Sequence, residues 1–157
     1  MLELVLVVVL VGIVAAVAAP RFFDAGAFRA ATFADELAAA IRYGQKAATA
    51  ARCPVKVTIN GIPDGESSRF AYAVRYEDDP GNSFAPDCSG GAFTFPLPRP
   101  GGAPGESWQL VSTDVALGAN AFSVIFDRAG RASNSLSIPV GGRTVRVEAG
   151  TGLTYVE

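Results

Sequence analysis

A continuous apolar run occupies the first residues of the chain. From Leu4 to Ala19 every residue is apolar or glycine, reading LVLVVVLVGIVAAVAA, and Pro20 and Arg21 close the run. A helix needs about 20 apolar residues to cross the hydrocarbon core of a membrane, and this run approaches that length when Met1 and Leu2 are added. Backbone groups inside lipid must bond one another, so we expect a membrane-spanning helix here, with a kink at Pro20.

Glu3 is the charged residue that interrupts this segment, and it separates three interpretations. A secretory signal peptide would match the mostly small residues from Ala15 to Ala19, but its first residues should be basic. A plain membrane anchor would have flanking Lys or Arg on its cytoplasmic side. In the third interpretation Glu3 is functional, because an ionisable group in a membrane segment is costly and usually has a partner. Alternatively, Glu3 lies among the headgroups at a helix N-terminus, where the helix dipole favours an anion.

An amphipathic helical pattern continues after Pro20. Its apolar residues recur at a spacing close to four, which predicts one buried helix face: Phe28, Phe33, Leu37, Ile41 and Ala48. Pro54 supplies a stop for the helix. Taken as one element, Leu2 to Ala51 would extend about 75 Å at 1.5 Å per residue. Gly26 and the capping-box pattern that begins at Thr32 predict a bend near residues 26 to 32.

From Pro54 onward, the pattern changes to alternating Val, Thr, Phe and Tyr residues separated by Gly and Pro. This predicts eight short strands: Val55 to Ile59, Phe70 to Tyr76, Ala92 to Phe95, Trp108 to Ser112, Ala121 to Phe126, Ser135 to Pro139, Arg143 to Glu148 and Leu153 to Val156. Three loops are predicted between them: Gly61 to Ser68, Asp78 to Gly91 and Pro96 to Ser107. The expected class is α+β, with a long N-terminal helix on an antiparallel β domain.

The same patterns divide the chain into three parts. Residues 1–20 form the transmembrane helix, residues 21–52 form the amphipathic half of the same helix, and residues 53–157 form a β-rich globular head. The length of 157 residues suits one domain with such an appendage.

Composition then excludes several classes of function. The chain has no histidine, which removes the commonest general base near pH 7 and most zinc ligands, so we expect neither an enzyme nor a metal or cofactor site. A formal net charge of −2 without a basic run argues against nucleic acid as a partner.

The two cysteines, Cys53 and Cys88, allow one disulfide that closes a loop of about 36 residues, worth roughly 3 to 4 kcal/mol of stability. This would fit an exported domain, and two free thiols are the alternative.

Three further features receive structural interpretations. The acidic residues Glu77, Asp78, Asp79 and Asp87 crowd one predicted loop together with Asn82, but their spacing matches no calcium loop, so we interpret it as a solvated loop. The Gly101 to Ser107 stretch lacks the lysine of a phosphate-binding loop. Trp108 is interpreted as a core residue.

The N-terminal residues carry a resemblance to a known family. Met1-Leu2-Glu3-Leu4-Val5, the apolar run and the sequence through Pro20 to Phe23 resemble the N-terminal segment of type IV pilins and pseudopilins. That family's pattern is Gly-Phe-Thr-Leu-Ile/Val-Glu-Leu, an apolar helix and then Ala-Ala-Pro. The chain departs from it because neither the Gly nor the Phe precedes Met1. Either the start codon was assigned too late or the chain is a remnant that cannot be processed. Because the missing stretch would also carry the basic leader, we expect the misassigned start.

The C-terminal strands resemble those of two minor-pilin groups. A Phe-Asp-x-x-Gly-Arg turn at Phe126 and a Val-Glu-Ala-x-x-Gly ending at Val147 are similar to the C-type minor pilin of the mannose-sensitive haemagglutinin pilus, and also to the H-type minor pseudopilin of type II secretion. The turn alone is also a common device in which glycine takes a positive φ.

The resemblance implies a structural role in assembly. Prepilin peptidase would cut the leader and the new N-terminus would be methylated. The apolar helices of neighbouring pilin subunits would pack together in a filament core, where Glu3 would pair with the N-terminal amine of a neighbour. The protein would be a single-pass inner-membrane protein with its head in the periplasm, or part of an extracellular pilus, and would contact the assembly machinery. The rival interpretation is a secreted β-sandwich binding domain, released by a signal peptidase after about Ala18 or Ala19.

Overall fold

The computed structural model describes residues 2–22, 25–64, 67–78, 88–89, 91–102, 107–112 and 121–157. Within them, two helices precede eight strands, which confirms the α+β class and the antiparallel sheets. The helices are α1 (Leu2–Phe22) and α2 (Ala25–Ala51). The strands are β1 (Val55–Asp64), β2 (Ser67–Asp78), β3 (Ala92–Pro96), β4 (Gln109–Ser112), β5 (Phe122–Phe126), β6 (Leu136–Val140), β7 (Arg143–Val147) and β8 (Thr154–Val156).

No helix break separates residues 26–32, the region in which the sequence predicts a bend. Residues 26–32 lie inside α2, and the Thr32 hydroxyl donates to the Phe28 carbonyl oxygen at 3.0 Å, so this side chain bonds back along its own helix and does not form a cap. Residues 23–24 lie outside the described ranges.

The end of α2 agrees with the predicted stop before Pro54. Arg52 adopts a left-handed φ of 53°, and the Cys53 amide donates to the Ala48 carbonyl oxygen at 3.2 Å. This is the Schellman arrangement of a helix C-terminus, with arginine at the position where glycine is usual. The chain therefore turns sharply from α2 into β1.

Two antiparallel sheets form the β domain. The first has the order β3-β2-β1-β5, with β4 also paired to β2, and the second has the order β6-β7-β8. All eight predicted strands are present, but β1 and β2 are longer than predicted. They pair without a register break from Val55 with Tyr76 to Asp64 with Ser67, so most of the predicted Gly61 to Ser68 loop belongs to the strands.

The other two predicted loops are described only in part. Of the Asp78 to Gly91 segment, Asp78 ends β2 and residues 88, 89 and 91 are described. The Pro96 to Ser107 segment is more ordered than predicted, because Leu97 is completely buried and its amide donates to the Val74 carbonyl oxygen at 3.0 Å. Residues 103–106, which include most of the glycine-rich stretch, lie outside the described ranges.

Helix α2 supplies one side of the core and packs on both sheets. Its buried face follows the predicted spacing, and its buried residues are Ala30, Phe33, Ala34, Leu37, Ala38, Ala40, Ile41, Ala47 and Ala48. Gly44 lets the helix approach β1 and β2 closely, since a Cβ there would lie 3.1 Å from Val57 and 3.2 Å from Val74. Phe28, in contrast, is 75% exposed and lies outside this core.

The turn after β5 connects the two sheets. The Asp127 carboxylate accepts the amides of Ala129 at 2.9 Å and Arg131 at 2.8 Å, and Gly130 takes a φ of 77°. The chain then runs along the outer edge of β5, where the Ser133 amide donates to the Ile125 carbonyl oxygen at 2.9 Å. Ala132 forms bridges with both Phe126 and Ala149, so one short segment ties the sheets together.

Candidate functional site

The exposed surface of α1 is the clearest feature that the fold leaves unexplained. Side chains of α1 are described for residues 3–14, and all of them are exposed. The large apolar residues among them range from 52% exposed at Val7 to 68% exposed at Leu4. In α2, by comparison, the apolar face is buried against the sheets. The apolar surface of α1 therefore has no cover from the described part of this chain.

Glu3 lies in the first turn of α1 and is exposed. An acid at this position is favoured by the positive end of the helix dipole. Within the described residues no Lys or Arg forms an ion pair with it.

Pro20 is part of α1, which continues to Phe22. Because proline has no amide hydrogen, the carbonyl group four residues earlier loses its helical partner. The kink expected at Pro20 stays a prediction. Among the residues that the structure describes, no helix is both long enough and apolar enough to cross a membrane, so the membrane-spanning helix expected from the sequence stays a prediction.

Cys53 and Cys88 form the disulfide that the sequence allowed. Their Cα atoms lie 5.0 Å apart, and Cys53 is completely buried at the exit of α2. The Arg128 guanidinium donates to the Cys88 carbonyl oxygen at 3.0 Å. The end of α2, the segment around residue 88 and the turn after β5 are therefore held together at one place.

Sequence reasoning missed a polar cluster that joins α2 to the second sheet. The Gln45 amide nitrogen donates to the carbonyl oxygens of Gly130 and Thr151, both at 2.9 Å, and Arg42 Nε donates to the Thr154 carbonyl oxygen at 3.0 Å. These partners lie 85 or more residues away in the chain, so no local pattern could indicate them. The one local signal is a glutamine beside the apolar face of α2.

Trp108 packs against the core, in agreement with its interpretation from the sequence. Its ring stacks on Tyr43 with a centroid distance of 4.9 Å and an angle of 22°, and the Arg99 guanidinium lies 5.9 Å from the Trp108 centroid. Nearby, the Tyr72 hydroxyl donates to Glu36 Oε1 at 3.0 Å. Burial, together with the Glu36 carboxylate, raises the pKa of Tyr72 well above its ordinary value. This network keeps the acid of α2 in contact with the sheet.

No group of three metal-ligating side chains occurs among the described residues. Of the acidic loop considered above, Glu77 and Asp78 belong to β2, whereas Asp79, Asn82 and Asp87 lie outside the described ranges. The structure therefore brings together one predicted pair, Cys53 with Cys88, and places Glu3 and Pro20 on α1.

The features that stand out are thus an exposed apolar helix with an acid in its first turn, and a disulfide-linked head. An apolar surface without cover from the described part of the chain points to contact with another apolar surface. No protein-family model, curated protein or solved structure matches the chain.

Proposed function

We propose that this protein is a minor pilin-like structural subunit, inserted in the inner membrane by α1, that takes part in assembling a type IV pilus or pseudopilus. The observation that carries the proposal is the exposure of every described residue of α1 from Glu3 to Val14, in a helix made almost entirely of Leu, Val and Ile. The sequence resemblance of this segment to pilins supplies the identity of the assembly.

The apolar side chains of α1 are unfavourable in water, so this surface needs contact with lipid or with another apolar surface. Fully burying a Leu, Val or Ile side chain is worth roughly 1.5 to 3 kcal/mol, and α1 exposes ten such residues between Leu4 and Val14. Lipid tails before assembly and neighbouring apolar helices after assembly would each provide it. A subunit that moves from membrane to fibre would keep this surface dry throughout.

Glu3 would set the register of that packing. In a dry helix bundle an unpaired carboxylate is penalised, whereas a cation 4 Å away is worth about 4 kcal/mol at an effective dielectric constant of 20. The N-terminal amine of a neighbouring subunit, the partner implied by the resemblance, would satisfy it at one axial position only.

The head suits a location outside the cytoplasm. A disulfide that joins a buried cysteine to a distant segment forms and persists in oxidising compartments such as the periplasm. The head would then present its loops and strands to other subunits, and its role would be structural and not catalytic.

Glu3 variants test the assembly role in the organism that makes the fibre. We expect Glu3→Ala and Glu3→Gln to remain at normal levels in the membrane and to be lost from sheared fibres, because neither side chain carries a charge for the neighbour's amine. Glu3→Asp keeps the charge and should be retained in part. Formation of the Cys53–Cys88 disulfide in each variant controls for folding of the head. Incorporation of the Ala and Gln variants at the wild-type level would refute the role.

The second candidate is the secreted β-sandwich binding domain. It is favoured by one finding, namely that the described core of the head begins at Ala30 and that the described α1 side chains, residues 3–14, take no part in it. This candidate requires cleavage of the chain near Ala19, which the proposed subunit does not undergo.

A further inference from the structure

The two halves of the Cys53–Cys88 disulfide differ in exposure. Cys53 is completely buried at the exit of α2, whereas Cys88 is partly exposed and is followed by the exposed residues Ser89 and Gly91. An external thiol or disulfide exchanges with a cysteine only if it reaches the sulfur atom. Such a reagent can therefore approach the bond from the side of Cys88 and not from the side of Cys53.

The burial of Cys53 rests on backbone contacts that do not involve Cys88. The Cys53 amide donates to the Ala48 carbonyl oxygen at 3.2 Å, and the Glu77 amide donates to the Pro54 carbonyl oxygen at 2.8 Å. Cys53 Sγ lies 3.5 Å from the Glu77 carbonyl oxygen. In the reduced chain the Cys53 thiol would donate its hydrogen to this oxygen, so we expect Cys53 to stay buried when the disulfide is open.

Cys88 has different surroundings. Its backbone takes a left-handed φ of 59°, and the Arg128 guanidinium donates to its carbonyl oxygen at 3.0 Å. Reactive cysteines are typically found in partly exposed positions beside a cation, whereas buried structural cysteines are inert. By this criterion Cys88 is the cysteine that an external reagent meets, and Cys53 is not.

We propose that the disulfide closes in a fixed order, in which Cys88 reacts first with an external organic disulfide and Cys53 then resolves the mixed disulfide. The Cys88 thiolate attacks one sulfur of the external disulfide, whose S–S bond breaks and whose other sulfur leaves with the bonding electron pair. Cys53 gives up its proton and attacks Cys88 Sγ, which forms the Cys53–Cys88 bond and displaces the second external sulfur. Two cysteine thiols are thus oxidised, the external disulfide is reduced to two thiols, and the two cysteine protons pass through water to the departing sulfurs.

The geometry allows Cys53 to take the second step from its buried position. The Cα atoms of the two cysteines lie 5.0 Å apart, within the usual range for a disulfide, so Cys53 reaches Cys88 without leaving the core. Every contact used here lies in the head. The order of reaction therefore does not depend on the assembly role of Glu3.

Single-cysteine variants of the full chain in detergent test the order, with glutathione disulfide as the probe. Cys53→Ala leaves Cys88 as the one cysteine, and Cys88→Ala leaves Cys53. Peptide mapping after an acid quench should show glutathione on Cys88 of the first variant. Cys53 of the second variant should react at least about tenfold more slowly, because it reacts only when the head opens locally. In concentrated urea, which exposes both cysteines, the two rates should become similar.

The reduced wild-type chain is the second measurement, because Cys88→Ala alone can loosen the head and expose Cys53. Here both thiols compete in one molecule during a brief reaction with glutathione disulfide. We expect glutathione on Cys88 and not on Cys53 before the Cys53–Cys88 bond appears. If the two results differ, the wild-type chain decides. Similar modification of both cysteines in native buffer, or faster modification of Cys53, would overturn the order.

Discussion

Gly141, in the turn between β6 and β7, packs so closely on Ala30 of α2 that a methyl group at Gly141 would overlap the Ala30 side chain. Its φ of 52° also lies in the left-handed region. Gly142 has a positive φ of 90° as well, but apart from its own atoms and its chain neighbours no atom of the described chain lies within 4 Å of the position of its missing Cβ. Two adjacent glycines thus share one backbone requirement and differ in their contact with α2.

Alanine substitutions at Gly141 and Gly142 distinguish the cost of backbone strain from the cost of lost packing against α2. We expect Gly142→Ala to lower the free energy of unfolding by about 1 to 2 kcal/mol, the cost of a left-handed alanine. Gly141→Ala should lose a further 1 to 3 kcal/mol or so, because the second sheet must move away from α2. Thermal unfolding of the full chain in detergent, followed by near-ultraviolet circular dichroism, measures both. Equal losses would show that the contact with Ala30 contributes nothing.

Gln45 should stabilise the contact between α2 and the turns at residues 130 and 151. Gln45→Ala removes two hydrogen bonds of roughly 0.5 to 1.5 kcal/mol each, so we expect a loss of about 1 to 3 kcal/mol. Lys46→Ala is the control, since Lys46 is the exposed neighbour on the same helix and its replacement should change stability by less than about 0.5 kcal/mol. Similar unfolding midpoints for the two variants would contradict the assigned role.

The disulfide should contribute roughly 3 to 4 kcal/mol, because it closes a loop whose ends are 35 residues apart in sequence. The Cys53→Ala/Cys88→Ala variant should lose that amount relative to the oxidised wild type in urea unfolding. A reducing agent should destabilise the wild type and leave the variant unchanged. A variant as stable as the oxidised protein would show that the link does not restrain the unfolded chain.

Tyr72 makes the head less stable at alkaline pH. Its pKa is raised in the folded state by burial and by Glu36, whereas in the unfolded chain it titrates near its ordinary value of about 10. Below about pH 10 both states keep the proton, and above it the unfolded state loses the proton first, so stability falls as pH rises. Tyr72→Phe should reduce that fall, and should lower stability near pH 7 by about 1 to 2 kcal/mol through the lost bond to Glu36.

Tyr76 provides the comparison for this prediction. Burial raises its pKa too, but among the described residues its hydroxyl forms no hydrogen bond. Tyr76→Phe should therefore reduce the alkaline loss without lowering stability at neutral pH. The interpretation of Tyr72 would be contradicted if the two variants behaved alike at pH 7.

Much of the fold was predictable from local patterns. The buried face of α2 follows from the four-residue spacing of Phe33, Leu37 and Ile41, and the eight strands follow from alternation and turn residues. The extension of β1 and β2 was not, because residues beyond Ile59 are held by cross-strand pairing and not by their own alternation. The capping box expected at Thr32 does not form, because a threonine can either cap a helix or bond back within it, and the sequence does not distinguish the two.

The candidate site, like the fold, could be predicted from the sequence only in part. Glu3 and the apolar run are visible in sequence because they are contiguous, and the two cysteines left a single possible bridge. The bonds of Gln45 and Arg42 connect residues that the chain separates widely, so they appear only once the second sheet is placed on α2.

The central claim is that α1 remains joined to the head and holds the protein in a membrane. Intact-mass and N-terminal peptide analysis of the protein recovered from its native membranes tests this most directly. The account predicts a membrane-bound chain that retains Leu4 to Ala19 and carries an N-methylated first residue. A soluble chain that begins near Ala19 or Pro20 would contradict it, and would establish instead a secreted domain in which Glu3 has no role.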